Sequence, residues 1–329
     1  MANLETTYLG LKLKNPLVAA SSGITNSAEK IKKLEQAGIG AVVLKSVFEE
    51  QINNDVSNML RQNAQNTGYP EAEDYIRNYM RNNNITNHIQ LIEEARKAVS
   101  VPVIASINCF SSNEWTSMAK DFQEAGADAL ELNIFYVPVN RREESVSIEH
   151  LYLKVLEKVR QVVSIPVSIK IGLYHSNIVA MVDKLKAGGA KGVVMFNRFY
   201  EPDIDLDKLE LKAAEIFSSP VEMRHTLRWV GLVSSEVSDI DIAASTGIHD
   251  GNAVAKQLLA GAKVAQLCSV LYMKGNEVIP DMLAQLQSFM RKWNFRYIDE
   301  FRGRLSYKKI PDPMIYERSQ FMKYYSEKR

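Results

Sequence analysis

Only two cysteines, Cys109 and Cys268, occur in 329 residues. Two thiols so far apart cannot form a disulfide framework, and they lack the spacing of a zinc site or an iron–sulfur motif. An excess of charge is missing too: 40 Lys+Arg against 39 Asp+Glu leave a formal charge of +1. That balance removes the electrostatic reason to expect nucleic acid or an anionic membrane as partner. No apolar run approaches the ~18 residues of a membrane span. No basic-then-apolar signal pattern opens the chain, so a reducing cytoplasm is the expected compartment. No cluster of metal ligands stands out, and no metal is expected.

What the sequence does contain is a repeated phrase. A helix end, an Ala-Gly or Gly-Ala step and a short apolar run recur as EQAGIGAVVLK (35–45), EAGADALELN (124–133), KAGGAKGVVMFN (186–197) and LAGAKVAQLCS (259–269). A second phrase lies between them: VSVPVIASIN (99–108), VSIPVSIKIG (163–172) and SDIDIAASTG (238–247). Glycine takes the left-handed conformation that ends a helix. The run that follows is apolar at nearly every position, as a parallel strand covered on both faces requires.

The pattern predicts strands at 17–20, 41–45, 102–107, 129–133, 166–171, 192–197, 241–245 and 264–268. Helices are predicted over 28–37, 88–99, 114–125, 148–162, 177–187 and 253–260. Eight strands alternating with helices read as an α/β fold, a TIM (β/α)8 barrel, with an open doubly wound sheet as the alternative. One domain spanning 1–329 is expected. Two stretches fall outside the repeat. Residues 47–84 are polar and asparagine-rich and follow strand two, as a lid, binding loop or oligomer contact would. Residues 291–329 are basic and aromatic, and predict a C-terminal helical extension packed on the barrel.

Barrel enzymes place their chemistry at the C-terminal strand ends. There this sequence sets Ala20-Ser21-Ser22-Gly23, Lys45-Ser46, Asn108, Asn133, Lys170, Asn197, Ser245-Thr246-Gly247 and Cys268-Ser269. Two lysines and three asparagines at one mouth suit a polar, planar, anionic ligand, since an amide both donates and accepts. The small residues after strands seven and eight suit a phosphate held by backbone N–H groups.

These residues carry a family resemblance. TTYLGLKLKNPLVAASSG (6–23), VLKSVFEE (43–50), QNTGYP (65–70), ELN (131–133), IKI (169–171), MFN (195–197) and FRGRLS (301–306) appear in the family's order. The chain resembles the FMN-dependent class 1 dihydroorotate dehydrogenases, nearest class 1A. The resemblance implies FMN contacts at Ala20, Ser21, Gly23, Ser46, Asn108, Asn133 and Phe196, with Lys45 between flavin and substrate. It implies Lys170 beside the flavin ring, stabilising the reduced anionic form, and Thr246, Gly247, Cys268 and Ser269 at the phosphate. Asn66, Asn133, Asn197 and Arg198 would meet a dihydroorotate-like substrate. Class 1A also implies fumarate as acceptor and a homodimer.

The pattern breaks at the base. The family follows its strand-four Asn with a catalytic Cys or Ser, whereas this chain reads Asn133-Ile134-Phe135-Tyr136-Val137-Pro138. Tyr136 aligns closest and, titrating near ~10 when unperturbed, needs a neighbouring lysine to act as a base. Arg198 replaces a small serine. Three readings follow: oxidation of (S)-dihydroorotate to orotate in pyrimidine synthesis, flavin chemistry on another pyrimidine or enone, or a non-catalytic ligand-binding descendant.

Overall fold

The computed structural model describes residues 2–48, 70–108, 114–199 and 201–317. After an N-terminal hairpin of β1 (Thr6–Tyr8) and β2 (Leu11–Leu13), eight parallel strands close into a barrel. They are β3 (Leu17–Ala19), β4 (Ala41–Val43), β6 (Val103–Asn108), β7 (Ala129–Asn133), β8 (Val167–Ile171), β9 (Gly192–Met195), β12 (Asp241–Ser245) and β13 (Val264–Leu267). The hydrogen-bonded order is β4-β3-β13-β12-β9-β8-β7-β6, and the pairing of β4 with β6 completes the ring. A two-residue strand β5 (Val47–Phe48) adds to β6 outside it. All eight predicted strands are present, and the open sheet is excluded by closure.

The repeated phrase has one structural meaning. Gly38, Gly126, Gly189 and Gly261 all take left-handed φ, between +92° and +122°. The next residue closes the helix with a Schellman bond: Ile39 N–H to Leu34 O, Ala127 to Phe122, Ala190 to Leu185 and Ala262 to Gln257, at 3.0–3.1 Å. One residue later the chain has already joined the sheet. Gly40, Asp128, Lys191 and Lys263 donate to Leu17, Val103, Val167 and Ile242. Helix stop and strand start are therefore one three-residue device used four times.

The second phrase is anchored from outside. Glu35 Oε1, on the helix Ala28–Ala37, accepts from Ser100 N (2.7 Å), Ser100 Oγ (2.6 Å) and Val101 N (3.1 Å). Gln123 Oε1 does the same for Ser164 N, Ser164 Oγ and Ile165 N. Burial alone would push the Glu35 carboxyl up, but its hydrogen bonds to Ser100 and Val101 outweigh this and hold it below 4.5. The stabilising contribution is thus present above that value and lost as pH falls through the lowered one. Glu35→Gln should cost no more than about 1 kcal/mol at neutral pH, because the amide still accepts as Gln123 does. In urea unfolding, the difference from the parent chain should shrink as pH falls through that lowered value; a constant difference across pH would show that the charge contributes nothing.

The N-terminal end of the barrel is shut. Leu9 and Gly10, both at positive φ, turn the β1–β2 hairpin as a two-residue loop. Tyr8, Leu9 and Leu13 pack with Val18, Val43, Ile104, Val194, Ala243 and Val264 inside the barrel. Leu9 N–H donates to Asp241 Oδ2 at 2.8 Å. A Cβ at Gly192 would stand 2.6 Å from Leu9 Cδ2, so glycine leaves the room that the Leu9 side chain occupies where the hairpin tip enters. Any site must open at the other end. There, two residues further along several strands, the interior turns polar or charged: Ile104 gives way to Ser106, Ala129 to Glu131 and Val264 to Gln266, and Ser168 is followed by Lys170.

The stretch after strand two is more helical than its composition suggests. Of 47–84, residues 49–69 lie outside the described residues, and 70–84 belong to a long helix, Pro70–Ala98. Asparagines at 78, 82, 83, 84 and 87 hide it, since asparagine favours caps and turns over helix interiors. Three helices had no prediction, Met223–Glu236, Ser269–Lys274 and Val278–Lys292, nor did the hairpin β10 (Pro202–Asp205) and β11 (Glu210–Ala213). Of the extension predicted over 291–329, residues 318–329 lie outside the described residues; the rest follows the helix Val278–Lys292 and runs in short turns to Met314–Glu317. FRGRLS fixes it to the barrel: Gly303 and Leu305 N–H donate to Leu258 and Leu259 at 2.9 Å, and Phe301 is fully buried against Phe289 and Phe295.

Candidate active site at the C-terminal strand ends

A cavity of about 330 Å³ opens at the C-terminal ends of the strands, within the range of small-molecule sites. Of the residues expected there, Ala20, Ser21, Lys170, Phe196, Asn197, Arg198, Thr246, Gly247, Cys268 and Ser269 line it. The parallel barrel forces this gathering, because the corresponding strand ends meet at one rim.

The floor is a charged cluster. Lys170 is buried, and its Nζ lies 3.8 Å from Oε1 of Glu131, which is fully buried. Glu131 Oε2 accepts from Gln266 Nε2 at 2.6 Å. Neither Glu131 Oε1 nor Gln266 Oε1 has a hydrogen-bond partner among the described residues. Beside this floor, Asn197 Nδ2 donates to Asn133 Oδ1 at 2.9 Å, linking β7 to the segment after β9. From Ser21 on the cavity wall, a line of hydroxyls runs through Ser46 to Ser106, at 2.9 and 2.6 Å.

At the far end, Ser218 ties the rim together. Its hydroxyl accepts from Gly247 N–H (3.2 Å), donates to Ser269 Oγ (3.1 Å) and lies 3.2 Å from His249 Nε2. Ser218 N–H also donates to Ser269 Oγ at 3.0 Å. Two backbone N–H groups and two hydroxyls thus meet in one small space. Thr246 and Gly247 both take left-handed φ, +79° and +75°, which turns the backbone toward this point. Thr246 Oγ1 donates to Phe196 O at 3.1 Å and steadies the turn. Arg198 clamps the segment carrying Ser218: its Nε donates to Glu222 Oε2 at 2.8 Å and its Nη1 to Ile216 O at 3.1 Å. Burial pushes the Cys268 thiol up, so it is a poor nucleophile at neutral pH.

Other expected residues lie elsewhere. Ser46 and Asn133 touch the cavity only through Ser21 and Asn197. Lys45 and Asn108 do not line it; Asn108 is buried at the end of β6. Gly23 packs under Tyr272, whose hydroxyl would stand 2.8 Å from a Cβ there. Asn66 and Cys109 fall outside the described residues. Tyr136 lines a separate cavity with Trp115, Phe135 and Leu151. Its hydroxyl donates to Glu143 Oε1 at 2.5 Å, and this bond pushes the phenol above its ordinary range. The neighbouring lysine that a tyrosine base requires is replaced by a carboxylate, which acts in the opposite direction. Tyr136 thus stands apart from the strand-end cavity, with its hydroxyl engaged by a carboxylate and not by a lysine.

Glu131, Gln266, Ser218 and His249 had not been singled out. Glu131 and Gln266 were detectable as polar residues inside otherwise apolar strands; Ser218 and His249 had no such signal.

The chain matches the family described as Dihydroorotate dehydrogenase over residues 3–290. It is 26% identical to the dihydroorotate dehydrogenase B (NAD(+)) catalytic subunit of Thermoplasma volcanium, over 92% of this chain and 98% of that one. It is 29% identical to the dihydroorotate dehydrogenase A (fumarate) of Limosilactobacillus reuteri, over 78% and 84%. The NAD-dependent dihydropyrimidine dehydrogenase subunit PreA of Escherichia coli is 23% identical, over 92% and 76%. No helix among the described residues is long and apolar enough to cross a membrane. With a closed barrel, a polar mouth and a family match over nearly its whole length, the chain belongs to the dihydroorotate dehydrogenase family, oxidoreductases that act on CH–CH bonds.

Proposed function

We propose that this protein is an FMN-dependent oxidoreductase that takes a small, planar, anionic substrate, with (S)-dihydroorotate going to orotate as the first candidate reaction. The observation that carries the proposal is the buried Lys170–Glu131–Gln266 cluster, which sets a cation and an unpartnered acceptor side by side on the cavity floor. The residues present fit FMN. Gln266 Oε1 is a buried acceptor awaiting an N–H donor. At the rim the Ser269 hydroxyl accepts from the Ser218 N–H and hydroxyl, and Ser218 in turn from Gly247 N–H; this chain positions the Ser269 O–H as a donor to a phosphate.

When bound, FMN would supply the two-electron acceptor that oxidation of a CH–CH bond requires. Lys170 would hold its ring and offset negative charge that develops on it. Asn133 and Asn197, already joined to each other, present amide edges to a substrate carrying both carbonyl and N–H groups. Arg198 keeps the segment around Ser218 and Glu222 in place over the cavity.

At 134–138, where the family carries its base, there is no Cys or Ser to receive the proton that leaves the substrate carbon, and the Tyr136 hydroxyl is bound to Glu143. That observation favours a second reading, the same flavin chemistry on another pyrimidine or enone. One experiment separates the readings. Purified protein should be yellow and release FMN on denaturation, and anaerobic dihydroorotate should bleach the flavin. Flavin that stays oxidised with dihydroorotate but responds to another pyrimidine or enone would select the second reading. Absence of flavin would favour a ligand-binding descendant.

A homodimer, a cytoplasmic site of action and a single domain over 1–329 stand as parts of the same proposal, supported by the family resemblance. The electron acceptor is part of it too, fumarate being the one that class 1A resemblance implies.

A further inference from the structure

We propose that Glu131 is the positioning residue for Lys170: its carboxylate fixes the ammonium's place and offsets its charge, and so sets how strongly the site favours reduced flavin over oxidised. The inference rests on the FMN reading, and its support is the chain's own geometry. Glu131 is fully buried inside the barrel, where an ionised carboxylate depends on its partners. Oε2 is held by Gln266 Nε2 at 2.6 Å. Oε1 has no hydrogen-bond partner among the described residues and faces Lys170 Nζ at 3.8 Å. That separation exceeds a hydrogen bond, yet in a low-dielectric interior opposite charges at this range govern each other.

Glu131 does not line the cavity, whereas both of its partners do. It therefore acts through them. The strand register explains the arrangement: Asn133 pairs with Lys170 across β7 and β8, and Glu131, two residues earlier, faces the same interior. Lys170 divides its attraction between the carboxylate below and any anion above. Removing the lower charge hands the full attraction to the ligand, and a reduced, anionic ring gains more from it than an oxidised, neutral one.

Glu131→Gln keeps the size of the side chain and leaves Gln266 an acceptor while removing the charge. The measurement is the anaerobic midpoint potential of bound FMN. The variant should favour reduced over oxidised flavin at least tenfold more than the parent protein, a rise of about 30 mV for a two-electron couple. The same substitution in a Lys170→Met background should shift the ratio less than threefold. If Glu131→Gln does not fold, Glu131→Asp is measured instead. It withdraws the charge from Lys170 without deleting it, and should move the ratio in the same direction by at least threefold. An unchanged potential, or an equal shift with and without Lys170, overturns the role of Glu131 and leaves the FMN reading standing. A parent protein that takes up no FMN overturns both.

Discussion

Lys170→Met should slow reduction of the bound flavin on the order of 100-fold, the usual cost of deleting one charged stabiliser from a preorganised site. The magnitude follows from where the lysine sits. Its ammonium is buried, so water cannot replace the lost charge. Methionine keeps the apolar stem and fills most of the space, which limits the change to the charge. Removing Lys170 also strands Glu131, whose Oε1 has no hydrogen-bond partner among the described residues. Breaking a buried pair costs about 3–5 kcal/mol when the partners touch. The lower end applies here, because the charges are 3.8 Å apart and Gln266 still holds the other oxygen. Urea unfolding of the flavin-free protein reads the stability loss, and stopped-flow bleaching reads the kinetic one. A variant with normal reduction rates would remove Lys170 from the chemistry, whatever its stability.

Gly247→Ala should cost about 3 kcal/mol or more and abolish stable retention of FMN. At φ +75° a Cβ is disfavoured by about 1–2 kcal/mol before any contact is counted. That Cβ would also stand 2.2 Å from the backbone N of Met223 and 2.8 Å from its Cα. These are backbone atoms at the start of the helix Met223–Glu236, and they cannot swing aside as a flexible side chain would. Either the turn or the helix must move, and each movement separates Gly247 N–H from Ser218 Oγ. Stability and phosphate binding should therefore fall together. The denaturation midpoint and the FMN content of purified protein measure the two separately. Normal flavin content in a destabilised variant would show that the Ser218 cluster plays no part in holding the phosphate.

Sequence reading succeeds here where a local rule acts alone. The four helix-stop glycines were legible because only glycine readily takes the left-handed turn at the head of a strand, and all four show it. The eight strands were legible because a strand buried on both faces is apolar at nearly every position. The rule fails where local preference and tertiary packing disagree. Asparagines concealed the beginning of the helix Pro70–Ala98, and the helix Met223–Glu236 was missed although half-buried residues such as Trp229 pack it onto the core.

The candidate site divides along the same line. The order of residues along the chain determined which side chains stand at the strand ends, because each strand's last residue is fixed by its own pattern and barrel closure brings those ends together. It could not determine who faces whom. Tyr136 was aligned with a base by position alone, yet its hydroxyl is bound to Glu143. Arg198 was read as a substrate contact, and its guanidinium is tied to Glu222 and Ile216. Ser218, a residue with no motif, lies between Gly247, His249 and Ser269 because a segment far away in sequence folds over the rim. Most of all, Glu131, Lys170 and Gln266 come from three strands and meet only because the sheet closes on itself. Single-residue chemistry and strand periodicity are local and can be read from the sequence, while the pairing of buried charges depends on distances that only the closed barrel sets.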